Sequence, residues 1–172
     1  MIFLSIEGSR IFVRGIAPGS DRLSNVIWKW SNVPIPAPYL IVLVLGVVLH
    51  LTIDTDMFKT PTLGRVAGVI IAAAGVCLAV WAVLEAANVS VDSPNKLITS
   101  GPFSMSRNPM YLAWTFMFIG VAFIVNSWLM IVTLPFVAAY THIVDVRKEE
   151  RFLADKFGDE FDQYKSNVRR YF

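Results

Sequence analysis

One cysteine, Cys77, occurs among 172 residues. It lies in an apolar run, so the chain forms no internal disulfide and no cysteine-built metal cluster. No Gly-x-Gly triplet is present, and with it goes the glycine loop of dinucleotide-binding and soluble methyltransferase domains. P-loop, His-Glu-x-x-His and Cys-x-x-Cys patterns are also missing. Charge is scarce: 16% of residues are charged, against about 25% in average soluble chains. The hydrophobic share is 55%, and it is gathered into runs. These features describe an integral membrane protein of one domain. The first ten residues, MIFLSIEGSR, lack a basic stretch and carry Glu7, which makes a poor signal peptide.

Four segments have the apolarity of membrane spans: about 37–53, 63–84, 109–125 and 128–145. A helix needs ~20 residues, within ~17–25, to cross the hydrocarbon. The first, third and fourth are therefore at the short limit. The third and fourth are separated only by Asn126 and Ser127, which suits a tight helical hairpin. Basic residues check the count. Thirteen of the fifteen Lys and Arg fall before the first span, between the second and third, or after the fourth. Only Lys59 and Arg65 fall on the other side. The positive-inside rule then predicts that both termini are cytoplasmic.

The first 35 residues are not apolar enough to span. Residues 21–32 are expected either as a short interfacial helix, with Trp28 and Trp30 at headgroup level, or as an irregular tail. Pro34, Pro36 and Pro38 end this segment as an extended connector. Residues 37–94 hold the first two spans, and residues 95–172 hold the polar motifs. Gly64, Gly68 and Ala72, at four-residue spacing, predict close helix packing rather than chemistry. His50, near the outer end of the first span, reads as an interfacial polar residue. It and His142, the second histidine, lie on opposite sides of the bilayer in this topology and cannot share a metal.

Two motifs carry the chemistry. GPFSMSRNPMYLA, residues 101–113, opens the third span, and EERFLADKFGDEFDQY, residues 149–164, follows the fourth. Asn108 reads as a helix N-cap with Pro109 at the first helical position. The free amides of that helix start suit a carboxylate or phosphate. Arg107 adds a positive charge and a planar donor fork. His142, Asp145 and Glu149 are spaced i, i+3, i+7 and are expected on one helix face. Glu150 follows, and Glu85 ends the second span at the same membrane depth. A histidine, several carboxylates and an arginine converging there predict a polar pocket, or else a structural salt-bridge cluster. Leu153, Phe157, Phe161, Tyr164 and Val168 recur at helical spacing and predict an amphipathic segment, a cytosolic lid or an interfacial helix folding back over the pocket, broken at Gly158, with Asp159 as a cap. Arg169 and Arg170 are expected in the last turn of its second helix.

The pattern GPF-x-x-SRNPMYL followed by EE-x-x-L-x-x-x-FG-x-x-F-x-x-Y-x-x-x-VRR resembles the isoprenylcysteine carboxyl methyltransferase and phospholipid methyltransferase superfamily. The resemblance covers about residues 95–172 and implies an all-α polytopic membrane bundle. It implies S-adenosylmethionine as methyl donor, S-adenosylhomocysteine as product, and no metal. Carried over by motif, Gly101, Pro102, Ser106, Arg107, Asn108, Pro109, Tyr111, Glu149 and Glu150 would line the donor pocket. Eukaryotic members usually show Arg-His-Pro where this chain has Arg107-Asn108-Pro109; asparagine there is familiar in bacterial-type members. The donor's carboxylate suits Arg107 with the helix start, and its ammonium suits Glu149 or Glu150. Transfer from a sulfonium is an in-line displacement that requires alignment and exclusion of water. An amine acceptor would also have to lose a proton, to Glu85, His142 or Asp145. The implied partners are membrane lipids and a lipophilic acceptor, either a headgroup amine or a carboxylate, and not nucleic acid. A sterol-reductase-like membrane reductase and a non-enzymatic four-span scaffold are the alternative expectations.

Overall fold

A computed structural model describes residues 36–87, 89 and 94–171. The interfacial helix expected at 21–32 lies outside these residues. Helix α1 is Ala37–Thr52, α2 Thr62–Ala86, α3 Pro109–Val125 and α4 Trp128–Thr141. A single 3₁₀ turn, Gly101–Ser104, precedes α3. A π turn, His142–Val146, leads from α4 into α5, Arg147–Phe157, and α6 is Asp159–Asn167. Two stretches are long and apolar enough to cross a membrane: α2, and the continuous run Trp128–Phe157 from α4 through α5. Helices α1 and α3 are apolar but shorter, at 16 and 17 residues.

Helices α2 and α3 lie against each other because small residues let their backbones meet. A Cβ on Gly68 would stand 2.7 Å from the Gly120 carbonyl oxygen, and one on Gly75 would stand 2.8 Å from that of Ala113. A Cβ on Gly120 would in turn stand 2.6 Å from that of Ala72. Gly64 belongs to the same stripe but faces the Phe58 ring instead. Helix α1 closes on α3 and α4 through a core of Tyr39, Phe118, Ala122, Met130 and Val137. Large apolar side chains point outward all along the bundle, with Leu63 84% and Phe136 73% exposed. Such a surface suits hydrocarbon rather than water.

One end of the bundle is tied by backbone bonds between the α1–α2 loop and the α3–α4 turn. Met57 N–H donates to the Asn126 carbonyl at 2.8 Å, and Trp128 N–H donates to that of Thr55 at 3.1 Å. The Asn126 side chain accepts from Phe58 N–H and donates to the Phe58 carbonyl. Asn126 also ends α3 in the left-handed region, at φ 68°, where asparagine is tolerated. His50 is bound here to Thr55, at 2.7 Å, as a structural polar residue.

The other end collects the polar motifs. Leu153, Phe157, Phe161, Tyr164 and Val168 cluster on Leu97, so α5 and α6 form a lid over the 94–108 loop. Gly158, at φ 50°, holds the cap position of α6, and Asp159 opens the helix rather than capping it. The helix stops at Asn167, so Arg169 and Arg170 lie beyond its last turn, in the tail that follows.

Candidate functional site

The tail decides the geometry of the Arg107 loop. Arg107 N–H donates to the Arg169 carbonyl at 3.0 Å. The Ser106 hydroxyl and the Asn108 side-chain amide both donate to the Arg170 carbonyl, at 3.0 and 3.2 Å. Asn108 occupies the N-cap position of α3, but its side chain makes no capping bond. Its amide is spent on the tail instead. Ser106 is likewise buried as a strut.

Arg170 then grips Glu150 with two parallel bonds, Nε to Oε1 at 2.9 Å and Nη2 to Oε2 at 2.7 Å. These bonds hold the Arg170 guanidinium above its ordinary pKa. Arg107 Nη2 reaches the same carboxylate at 3.5 Å. One acidic side chain therefore braces two arginines. The remaining donors of Arg107, Nε and Nη1, are buried and have no partner. A buried donor without a partner costs about 1–3 kcal/mol, so an added acceptor here would be favourable.

Arg107 forms part of the wall of a cavity of about 440 Å³. Asp145 and Glu149 border it, together with Asn108, Pro109 and Tyr111. The Tyr111 hydroxyl donates to Glu149 Oε2 at 3.4 Å, a long bond. Ala82, Val83 and Met110 pack with Phe103 into an apolar side of the cavity. Phe152, Leu153 and Tyr164 close it from the lid, and Leu97 from the loop beneath. Burial pushes the Tyr164 hydroxyl up to about 12 against the pull of the Arg107 charge. It therefore stays protonated and donates to the Phe103 carbonyl at 2.6 Å.

The residues expected to converge are divided by the structure. Arg107, Asn108, Pro109, Tyr111, Asp145 and Glu149 border the cavity. Glu150 stands behind Arg107 rather than in the cavity. Gly101 and Pro102 shape the loop without bordering the cavity. Gly101 has φ 56°, and a Cβ there would meet the Glu85 carboxylate at 2.8 Å. Glu85 accepts a hydrogen bond from the Ser100 hydroxyl, which makes it a brace for this turn. His142 leaves the common face. Its Nδ1 pairs with the Tyr171 hydroxyl at 2.9 Å, and it borders a different cavity. The π turn is the reason: a wider turn changes the helical phase between His142 and Glu149, so i, i+7 no longer means one face. Sequence reasoning missed Arg170, although the VRR triplet was available as a signal. It also missed the lysines at the cavity border, Lys96 and Lys148.

Among the described residues, no group of three or more His, Cys, Asp or Glu is placed to hold a metal ion. The cavity offers a cationic fork and a carboxylate joined by an apolar wall. That donor set fits a zwitterionic amino acid end carrying an apolar ring system. A family model described as phospholipid methyltransferase matches residues 63–160, more than half of the chain. The cobalt-zinc-cadmium resistance protein CzcN of Cupriavidus metallidurans is 32% identical over 78 residues. That match covers 45% of this chain and 36% of the relative, so the chain spans about a third of the curated protein it matches. No solved structure matches.

Proposed function

Because the chain belongs to the phospholipid methyltransferase family, we propose that it moves a methyl group from S-adenosylmethionine to a lipophilic acceptor within the membrane. The observation that carries the donor assignment is the buried Arg107 fork, with Nε and Nη1 unpartnered, in the wall of the cavity that Glu149 borders. Arg107 would hold the donor's carboxylate through a charge-assisted bond from one of these two donors. Glu149 would hold its ammonium, while Ala82, Val83 and Phe103 take its ring system. The bound donor supplies an electrophilic methyl carbon on a sulfonium sulfur. The chain's own part is alignment of the reacting atoms at ~3–3.5 Å and exclusion of water by the α5–α6 lid.

Titration of the purified protein with S-adenosylhomocysteine tests this reading, with NADPH as the contrasting ligand. The expected result is binding of the first and not the second. Incubation of native lipid extract with labelled methyl donor should then yield a labelled lipophilic product. Folded protein that binds neither ligand would return the polar cluster to a structural role.

The membrane arrangement that accompanies this reading has four crossings, α1 to α4, with both termini and the cavity cytoplasmic. The distribution of Lys and Arg supports it, as does the clamp that ties the α1–α2 loop to the α3–α4 turn. In a Cys77→Ala background, a cysteine at Met57 should react with an impermeant thiol reagent from outside only. Labelling from the cytoplasmic side alone would overturn the four-crossing arrangement.

A further inference from the structure

A second cavity, of about 350 Å³, lies between α1, α3, α4 and the tail. Its polar surface comes from Tyr39, Tyr111, Thr115, Thr141, His142 and Tyr171. The Thr115 hydroxyl donates to the Tyr111 carbonyl at 2.9 Å. The bond between Tyr39 and Thr115, also 2.9 Å, must therefore have the phenol as donor. Thr141 is 2% exposed, and its hydroxyl has no partner. His142 spends Nδ1 on Tyr171, which leaves Nε2 as its second titratable position. No Asp, Glu, Lys or Arg borders this cavity among the described residues.

From these observations we infer that the second cavity receives the reacting head of the methyl acceptor, and that this head is an uncharged phenol-type hydroxyl on an apolar body. The inference rests on the methyltransferase reading. Both charged alternatives meet a physical obstacle: among the described residues this cavity has no carboxylate for an ammonium and no Lys or Arg for a carboxylate. Unpaired buried charge is expensive. A hydroxyl, in contrast, finds a base in His142, and an idle partner in Thr141 once the cavity wall moves to uncover its Oγ1. With Nδ1–H donating to the Tyr171 oxygen, Nε2 accepts the acceptor's proton as the O–H bond breaks. The freed oxygen pair forms the O–CH₃ bond. The C–S bond breaks with its electrons remaining on sulfur, which becomes a neutral thioether. Tyr111 borders both cavities, so its side chain must turn aside for the acceptor oxygen to reach the methyl carbon. Its long bond to Glu149 is weak enough to release when an ammonium takes that carboxylate.

The test measures equilibrium binding of tritiated 4-octylphenol to the full-length protein in nanodiscs, with octanoate and octylamine as competitors. Saturable phenol binding is expected, without displacement by tenfold excesses of either charged competitor. Thr141→Val should weaken phenol binding about fivefold, while Thr141→Ser and the affinity for S-adenosylhomocysteine stay as in the wild type. His142→Asn should keep phenol binding and slow labelled-methyl transfer to the phenol by about a hundredfold or more. Absence of saturable phenol binding, displacement by a charged competitor, or an unaltered affinity in Thr141→Val would each overturn the inference. Failure of the wild type to bind S-adenosylhomocysteine would instead sink the donor reading, with phenol binding still deciding the fate of the second cavity.

Discussion

Arg107→Ala is expected to weaken binding of S-adenosylhomocysteine roughly ten- to hundredfold without unfolding the protein. Two Arg107 donor atoms are buried with no partner, and a ligand carboxylate is the group that would satisfy one of them with a charge-assisted bond. A hydrogen bond to a charged group contributes about 1.5–3 kcal/mol, and each 1.4 kcal/mol is about a factor of ten. The fold should survive because Glu150 keeps its closer pair of bonds to Arg170, at 2.7 and 2.9 Å, when the 3.5 Å contact to Arg107 is lost. Lysine at the same position keeps the charge but not the planar fork, so Arg107→Lys should recover only part of the affinity. Calorimetric titration of the three proteins, alongside their melting temperatures in detergent, checks the prediction. Undiminished affinity in a folded alanine variant would make Arg107 a structural arginine.

Much of the helical frame was legible because its signals are local. Pro109 after Asn108 marks a helix start whatever surrounds it, and α3 begins at Pro109. Asn126 marks its end for an equally local reason, since asparagine tolerates the left-handed turn. The lid was legible too, because Leu153, Phe157, Phe161, Tyr164 and Val168 repeat at helical spacing and all reach one cluster. Apolarity, however, reports where hydrocarbon would end and not where a helix ends. The fourth span was expected to stop near residue 145, yet the helical run continues to Phe157 through the π turn. That turn depends on packing, and it redirects His142 away from Asp145 and Glu149. Asn108 shows the same limit. Its residue type predicts a cap, but its amide goes to a carbonyl 62 positions away in sequence. No local pattern could have shown that competition.

Glu149 and Glu150 are adjacent in sequence and are expected to fail in different ways when each becomes glutamine. Successive helical residues point about 100° apart. Here that angle sends Glu149 into the larger cavity with the Tyr111 hydroxyl on it, and Glu150 behind the wall between two arginines. Glu149→Gln keeps the size of the side chain and an acceptor for Tyr111 but loses the charge. It should therefore melt close to the wild-type temperature and bind S-adenosylhomocysteine about tenfold more weakly, as the ammonium loses its partner. Glu150→Gln strands two guanidinium groups instead. Removing one member of a buried pair costs about 3–5 kcal/mol. Since Arg170 is 36% exposed, solvent screening brings the expected loss down to about 2 kcal/mol. The tail should loosen with it, because the Arg170 carbonyl also ties down Ser106 and Asn108. Proteolytic trimming beyond Val168 should then appear in Glu150→Gln and not in Glu149→Gln. Melting curves, donor titrations and limited proteolysis of the two variants separate these outcomes. Equal stability loss in both would mean that Glu149 is a structural carboxylate like its neighbour, and the cavity would be left without its ammonium partner.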